Sequence, residues 1–553
     1  MIASKADEVG AALREVEQAV SMHNLYAAGF LSYEAAPAFD SALRVLPTQD
    51  FPLTWFGLYP EPSVISLPAP ENPAAVLNWR PTVEQGEYNA AIENIKRSIE
   101  RGLTYQVNYT MRLRADFPGD TWDFFLNLAQ TQNKYAAYAD AGRYVICSAS
   151  PELFFELDGE NILSRPMKGT ARRGRNNAED TEQAKWLRDS IKNRAENVMI
   201  VDMIRSDLGR IAQIGSVHVP ELFSIEKYPT LLQMTSTVRA KTRAPLTEIF
   251  GALFPCASIT GAPKVSTMNL IAGFESTPRR IYTGSIGFIA PGRKAQFNVA
   301  IRTVLIDRHK RQAEYGVGGG IVWDSNSTDE YNEALLKTRI LTEHRGEFSL
   351  LETILWTPRE GYFLGENHIR RMSNSADYFG FPFSKEELEN HLDEMALKFT
   401  SPQRVRVLLN RSGKLSGEAK DILQNNKKTL KVRLAAKPVD SGNVFLFHKT
   451  TRREIYEEAF KLYNGCDDIL LFNEKNELTE FTIGNLVAAL NGELVTPPVE
   501  CGLLAGTFRE HLLHTGEIKE QVVKIEDLKG CQKIFLVNSI RKWAEIKLEN
   551  LAQ

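Results

Sequence analysis

Residues 316–337 of this 553-residue chain read GVGGGIVWDSNSTDEYNEALLK. The apolar run Gly316–Trp323 predicts a buried strand, and after a polar turn Asp329–Leu341 predicts a long helix. Glu330, Glu333 and Lys337 are three and four residues apart, so they share one face of that helix. A carboxylate here that converges with one from a separate helix would suit Mg²⁺, which takes few protein oxygens. A solvated acidic helix face would give the same spacing.

Outward from this stretch, helices and strands follow one another in two successive groups. Glu87–Arg101 predicts an amphipathic helix, Asp180–Ile214 is strongly helical, and Gln296–Leu305 reads as one strand. Thr342–Glu347 is polar and closes the long helix, and the pattern restarts with the strand Leu350–Trp356. We therefore predict two mixed α/β (α+β) domains, residues 1–343 and 348–553, each large enough to bury its own core.

Composition narrows the class of protein. The chain has 66 Lys and Arg against 69 Asp and Glu, a net charge of -3, which argues against a nucleic-acid partner bound through a broad basic surface. No apolar run approaches the roughly 18 residues of a membrane span, and the first twenty residues carry charges without a signal-type apolar core. Five cysteines without a CxxC pair suit a reducing compartment. We expect a cytoplasmic enzyme without a membrane partner.

Two further segments of the first domain carry polar groups among apolar neighbours. Residues 164–170 read SRPMKGT, which places Lys168 in a turn beside basic residues. A lysine amine that has lost its proton is a nucleophile, although an exposed loop lysine is the simpler interpretation. Glu196 precedes an almost wholly apolar helical stretch, where a lone carboxylate stands out.

Together these segments resemble the chorismate-utilising enzymes, densely over residues 80–343 and loosely before them. The matching segments are GLTYQVN at 102–108, SPE at 150–152, PMKGT at 166–170, the Glu196 helix, SITGAPK at 258–264, Tyr282 with Arg302, the triple glycine and the 330–337 helix. The resemblance implies a sandwich of antiparallel sheets with helices that binds chorismate and Mg²⁺. It implies Glu196 and Glu333 as metal ligands. It also implies substrate contacts from Thr260, Tyr282, Arg302, Gly318, Gly319, Gly320 and Lys337.

Three positions bear on which reaction the first domain performs. Water-adding members of the family have Lys where this chain has Gln106, and anthranilate synthases have Ala and His where it has Lys168 and Gln233. A PxKGT lysine is similar to component I of the 4-amino-4-deoxychorismate synthases. That resemblance implies that Lys168 attacks C2 of chorismate before ammonia enters at C4. It also implies a separate glutamine amidotransferase as the source of ammonia.

The second domain has its own ordered set of motifs. They are Glu352-Thr353, HIRR at 368–371, HKTTR at 448–452, TEFTIGN at 479–485, LAGTFR at 504–509 and NSIR at 538–541. In this order they resemble the branched-chain-aminotransferase-like, fold-type IV pyridoxal 5'-phosphate enzymes, and specifically the aminodeoxychorismate lyases. The resemblance implies Lys449 as the cofactor lysine and Glu480 as the partner of the pyridine nitrogen. It implies Arg371, Gly506, Thr507 and Ser539 as the phosphate site, and Thr353 as a proton-transfer hydroxyl.

Two departures accompany this second resemblance. The domain lacks the N-terminal strand region that free-standing relatives have before Glu352-Thr353, and Phe508 stands where aminotransferases tend to have a hydroxyl residue. Together the two resemblances imply a fused enzyme that makes 4-aminobenzoate for folate synthesis. Two alternatives stay open: an anthranilate synthase fused to an aminotransferase, and a synthase whose second domain is a non-catalytic docking module.

Overall fold

The structure is a computed structural model that describes residues 1–68, 70–72, 77–131, 134–341, 346–422, 429–463 and 465–549. Most of the predicted boundary at Thr342–Glu347 lies outside these residues. The chain divides into two units, Met1–Arg172 with Gln183–Arg345, and Arg173–Glu182 with Gly346–Gln553. The sequence analysis had assigned residues 173–182 to the first domain, whereas they pack with the second unit. Within the described ranges, no helix is long and apolar enough to cross a membrane.

Up to residue 341 the structure contains eight α-helices and seventeen strands in its described part. The helices are α1 (Ala6–His23), α2 (Gln85–Glu100), α3 (Thr121–Thr131), α4 (Asn177–Asp189), α5 (Ile191–Gly209), α6 (Leu246–Leu253), α7 (Lys264–Phe274) and α8 (Ser327–Leu336). The strands are β1 (Ile2–Ala3), β2 (Tyr26–Leu31), β3 (Thr54–Tyr59), β4 (Arg80–Pro81), β5 (Gln106–Asp116), β6 (Tyr135–Ala141), β7 (Tyr144–Ser150), β8 (Leu153–Asp158), β9 (Asn161–Arg165), β10 (Met167–Arg172), β11 (His218–Lys227), β12 (Leu231–Lys241), β13 (Gly261–Ala262), β14 (Ser285–Ala290), β15 (Lys294–Val299), β16 (Thr303–Asp307) and β17 (Gln312–Ile321).

Two antiparallel sheets build the first unit. One has the order β1-β3-β2-β14-β15-β8-β9-β12-β10, with β11 on β12, and the other β13-β5-β17-β16-β7-β6, with β4 on β5. Each sheet has its own apolar core: Phe155 and Phe297 lie in one, and Tyr109 and Val317 in the other. The predicted antiparallel sandwich with helices is confirmed. It brings β10, β17, α5 and α8 to one cleft.

Two predicted elements of this unit are divided in the structure. The run Gln296–Leu305 forms β15 and β16, which belong to different sheets, and Arg302 between them has a left-handed φ of 50°. The helical run Asp180–Ile214 forms α4 and α5, because the Ser190 hydroxyl caps α5 by accepting a hydrogen bond from the Asn193 amide. Arg302 in the first break lines the cleft, as do Lys192, Asn193 and Glu196 after the second.

The second unit adds four helices and twelve strands among its described residues. The helices are α9 (Gly365–Phe379), α10 (Lys385–Ala396), α11 (Glu454–Lys461) and α12 (Thr507–His514). The strands are β18 (Leu350–Thr357), β19 (Gly361–Tyr362), β20 (Gln403–Leu409), β21 (Leu415–Asp421), β22 (Thr429–Leu434), β23 (Asp468–Phe472), β24 (Leu478–Phe481), β25 (Asn485–Leu490), β26 (Glu493–Thr496), β27 (Lys519–Glu520), β28 (Lys533–Asn538) and β29 (Lys542–Leu548).

These strands form two sheets. The smaller sheet is antiparallel in the order β19-β18-β20-β21. The larger has the order β24-β23-β22-β29-β28-β25-β26-β27 and is mixed, because β22 runs parallel to both β23 and β29. Each sheet covers its own apolar core, with Val405 in the smaller and Leu470 in the larger. The loops between these strands bring β18, β20, β24 and the start of α12 to a second cleft.

Candidate active sites

The first unit contains a cleft of about 460 Å³. Nine predicted site residues line it, namely Lys168, Glu196, Tyr282, Arg302, Gly318, Gly319, Gly320, Glu333 and Lys337. Thr260 does not: its side chain is buried, and its hydroxyl donates to the carbonyls of Cys256 and Ala257 at 3.2 and 3.3 Å. The Thr260 hydroxyl therefore holds its own turn, and only a movement of that turn would bring it to a substrate.

Two lysine–carboxylate pairs line this cleft. The Lys168 Nζ atom lies 3.5 Å from Glu196 Oε2, and the Lys337 Nζ atom lies 3.0 Å from Glu333 Oε1. Lys337 also donates to the Gly318 carbonyl at 2.8 Å. The Lys337 charge lowers the pKa of Glu333, whereas burial raises the pKa of Glu330. The cleft therefore holds both cations and carboxylates, as a bound dianion with a metal ion would require.

One wall of the cleft is suited to a carboxylate. Gly318 and Gly320 pair with Thr110 and Asn108 of β5, and a side chain at Gly318 would collide with the Tyr109 carbonyl. Because the strands approach so closely, only glycine fits at position 318, and the backbone of Gly318–Gly320 lines the cleft without side chains. Arg302 lines the same cleft, and burial lowers the pKa of its guanidinium. An arginine beside glycine backbone that no side chain covers suits an anionic ligand.

Glu152 is a cleft residue to which the sequence analysis assigned no role. It is buried, and the Ser258 hydroxyl donates to its Oε1 atom at 2.7 Å. Burial raises the pKa of this carboxyl to about 7. Glu152 can therefore carry a proton near neutral pH and deliver it in the cleft. The available signal was its place in the SPE segment between two apolar strands.

Glu196 and Glu333 were predicted to hold Mg²⁺. Among the described residues, no group of three or more His, Cys, Asp or Glu side chains is arranged as a metal site. Mg²⁺ often takes one or two protein carboxylates and completes its shell with water and ligand oxygens, so this donor set fits the ion. In the structure, the positive charges of Lys168 and Lys337 balance the negative charges of Glu196 and Glu333.

The second unit contains a cleft of about 360 Å³. All the site residues predicted for this domain line it, namely Thr353, Arg371, Lys449, Glu480, Gly506, Thr507 and Ser539. Burial, together with the nearby Arg371 charge, lowers the pKa of Lys449 to about 8. This amine is neutral at a lower pH than an ordinary lysine, which favours attack on an aldehyde.

Glu480 lies on the same cleft. The Tyr456 hydroxyl donates to its Oε1 atom at 2.8 Å, and the Asn485 amide donates to Oε2 at 3.3 Å. Burial raises the pKa of Glu480 to about 8. A buried carboxyl held by neutral donors suits a protonated ring nitrogen. The backbone amides at the start of α12, at Gly506 and Thr507, suit a phosphate. The residues present thus fit pyridoxal 5'-phosphate.

Arg371 is engaged in a buried network. Its Nε and Nη2 atoms donate to the two Glu352 oxygens at 2.8 and 2.6 Å, and its Nη1 donates to the Ala505 carbonyl. His368 Nδ1 lies 2.6 Å from Glu352 Oε2. Burial alone would raise the pKa of Glu352, but the neighbouring Arg371 and His368 outweigh it and lower this pKa to about 2. Arg371 is thereby held at the cleft wall, and its contact with a phosphate stays a prediction.

The sequence analysis missed a set of cationic side chains on this cleft. They are Arg404, Arg406, Arg452, Arg453 and Arg541. Arg404 and Arg406 alternate along β20, and Arg406 pairs with Thr353 of β18, so these side chains share one face of the sheet. Glu480 is the single carboxylate among the described cleft-lining residues. The cleft is suited to a ligand with several negative charges.

Comparisons with known proteins define the class. Residues 63–343, just over half of the chain, match the model of the chorismate binding enzyme family, and residues 349–548 match that of the class IV amino-transferases. The chain belongs to the chorismate binding enzymes, and its second unit is an amino-transferase class IV domain.

Individual relatives match the first unit. Aminodeoxychorismate synthase component 1 of Salmonella typhimurium (strain LT2) is 39% identical over 48% of this chain and 58% of its own length. The protein of the same name from Escherichia coli (strain K12) is 38% identical over 48% of this chain and 59% of its own length. This chain thus spans less than two thirds of either relative. The structure of anthranilate synthase component I from Streptococcus pneumoniae TIGR4 is similar in fold, with a TM-score of 0.54 at 24% identity over 60% of this chain and 85% of that one.

Proposed function

We propose that the chain is a bifunctional enzyme of 4-aminobenzoate synthesis. The first unit converts chorismate and ammonia to 4-amino-4-deoxychorismate, and the second converts this product to 4-aminobenzoate and pyruvate. The observation that carries the proposal is the position of Lys168 in the first cleft, with its amine 3.5 Å from Glu196. The relatives named aminodeoxychorismate synthase component 1 support the same reaction.

In the first cleft, Lys168 attacks C2 of chorismate while the 4-hydroxyl leaves with its electron pair. Glu152, protonated below about pH 7, gives its proton to that leaving oxygen. Ammonia then bonds to C4, and the lysine leaves C2 with the electrons of its bond. Arg302 and the backbone of Gly318–Gly320 bind a substrate carboxylate throughout. When bound by Glu196 and Glu333, Mg²⁺ would neutralise the ring carboxylate.

In the second cleft, the bound cofactor supplies an electron sink. Lys449 would hold the cofactor through its aldehyde until the substrate amine takes its place, and the freed lysine amine would then remove the proton from the amine-bearing ring carbon. Glu480 keeps the pyridine nitrogen protonated, and Thr353 holds a hydroxyl at the site of proton transfer. The cationic residues of the cleft bind the two carboxylates of the intermediate. Pyruvate leaves, and the ring becomes aromatic.

The ammonia source and cellular location are part of the same proposal. In this proposal a separate glutamine amidotransferase subunit supplies ammonia to the first unit. The name component 1, which both relatives carry, supports the existence of a second component. Free ammonium would replace that subunit in vitro. The composition of the chain supports a cytoplasmic enzyme.

Product analysis tests both halves. The purified chain is incubated with chorismate, ammonium, Mg²⁺ and pyridoxal 5'-phosphate, and the aromatic product is identified by chromatography. We expect 4-aminobenzoate; Lys168→Ala abolishes all products, whereas Lys449→Ala accumulates aminodeoxychorismate. Anthranilate would overturn the assignment of Lys168. Aminodeoxychorismate without an aromatic product from the wild-type chain would overturn the lyase half.

A further inference from the structure

Residues 173–182, here called the inserted segment, follow the strand that carries Lys168 but pack within the second unit. The segment is braced internally. The buried Asp180 carboxylate accepts hydrogen bonds from Arg173 Nε at 2.9 Å and from the Gly174 amide at 2.8 Å. A side chain at Gly174 would collide with the backbone at Glu179 and Asp180. The segment is therefore a specific turn that leads into the first residues of α4.

The inserted segment is fixed to α9 at Tyr378. The Arg173 guanidinium stacks over the Tyr378 ring at 4.2 Å and donates to the Tyr378 carbonyl at 2.8 Å. The Tyr378 hydroxyl is buried and donates to the Gly174 carbonyl at 2.8 Å. A buried hydroxyl requires such an acceptor, and the segment supplies it.

The segment then reaches the residue before the cofactor lysine. His448 Nε2 lies 3.1 Å from the Arg175 carbonyl oxygen, and His448 Nδ1 lies 2.9 Å from the Ser375 hydroxyl. Because a carbonyl only accepts, Nε2 donates to the Arg175 carbonyl, and Nδ1 shares a hydrogen bond with the Ser375 hydroxyl. The buried imidazole thus connects the inserted segment to α9, and its ring packs against the Tyr378 ring with the centroids 4.4 Å apart.

Further contacts keep the Arg175 carbonyl in place. The Arg175 side chain donates to the carbonyls of Ser441 and Glu500 at 3.3 and 3.2 Å, and it stacks over the Phe447 ring at 4.8 Å. On the other side of His448, the Lys449 carbonyl accepts from the Leu351 amide at 2.9 Å. The backbone at Lys449 is therefore held from both directions.

We infer that the inserted segment supports the catalytic site of the second unit. His448 is a positioning residue: its hydrogen bond to the Arg175 carbonyl fixes the backbone of the next residue, Lys449. This inference rests on the role proposed above for Lys449. Ten residues from the middle of the first sequence domain thus complete the site of the second.

The test uses the full chain with Arg175→Ala and His448→Phe, and Arg188→Ala on the exposed face of α4 as the matched control. In the cofactor-free chain, we expect faster hydrogen exchange at residues 448–450 in both variants and no change in the control. With added aminodeoxychorismate and bound cofactor, we expect kcat for pyruvate release to fall roughly tenfold with little change in KM, because a displaced amine slows proton transfer.

The pH dependence of cofactor uptake separates positioning from simple stabilisation. Cofactor uptake requires the neutral amine of Lys449, so its midpoint pH follows the pKa of that lysine. Burial lowers this pKa, and a lysine that is less firmly held and better solvated in the variants has a higher pKa, so the midpoint pH of uptake rises. Lower melting temperatures with unchanged kcat and uptake midpoint would overturn the inference. If either variant fails to fold, Tyr378→Phe replaces it, because this change removes only the hydroxyl that is hydrogen-bonded to the Gly174 carbonyl. We then expect smaller changes of the same sign in kcat and in the midpoint pH, and their absence would overturn the inference. A wild-type chain that takes up no cofactor on Lys449 would instead overturn the proposed function, and the inference with it.

Discussion

At the scale of single residues, Glu152 sets the expected pH dependence of the first reaction. Burial raises its pKa to about 7, so the proton it donates to the leaving hydroxyl is lost as the pH rises through that value. At constant free ammonia, we expect aminodeoxychorismate formation to decline above about pH 7. Glu152→Gln lowers the rate by about 10²-fold or more and removes the decline. Glu156→Gln, on the next strand, is the control, and a decline that persists in Glu152→Gln would contradict the assignment.

Two of the predicted site residues stand beside signals that the local sequence itself provides, and most of the others follow from the family resemblance. Lys168 stands in a PxKGT turn, and Glu333 shares a helix face with Lys337. Arg406 gives no such signal, because an arginine in an alternating strand reads as a solvent-facing residue. Only its pairing with Thr353 across β18 and β20 reveals that it faces the cleft. Pairing between distant strands is a property of the folded chain and not of local sequence.

At the scale of secondary-structure elements, Glu352 joins β18 to α9 through Arg371 and His368. Glu352→Gln leaves the Arg371 charge buried without its partner, and we expect a loss of about 3–5 kcal/mol in unfolding free energy. Since the folded-state pKa of Glu352 is lowered to about 2, its contribution is present above the ordinary carboxyl pKa and is lost as the pH falls towards 2. Urea denaturation at several pH values, with Glu360→Gln as an exposed control, measures both effects. A loss below about 1 kcal/mol would show that the network contributes little.

Element prediction succeeded where periodicity was long and failed where the chain changes layers. The helix predicted at Glu87–Arg101 is observed as Gln85–Glu100, and the strand predicted at Leu350–Trp356 as Leu350–Thr357. In contrast, β15 and β16 continue one apolar run, and only the turn at Arg302 sends them to different sheets. The inserted segment is polar and carries no apolar stripe, so its packing with the second unit had no trace in the sequence. Tertiary contacts decide both cases.

At the scale of the whole molecule, the two clefts are built from different residues, and each contains one of the two lysines to which we assign catalysis. A chain with Lys168→Ala retains the second cleft, and a chain with Lys449→Ala retains the first. Neither variant alone is expected to make 4-aminobenzoate from chorismate. An equimolar mixture is expected to make it after a lag, because the intermediate must leave one chain and reach another.

The length of that lag measures what fusion contributes. In the wild-type chain both sites share one polypeptide, which raises the concentration of the intermediate near the second site. Each variant first requires its own control: Lys449→Ala accumulates aminodeoxychorismate, and Lys168→Ala converts added aminodeoxychorismate to 4-aminobenzoate. With both controls satisfied, a mixture that forms no 4-aminobenzoate would contradict two independent sites joined by a diffusing intermediate. A mixture as fast as the wild-type chain, without a lag, would show that fusion confers no kinetic advantage.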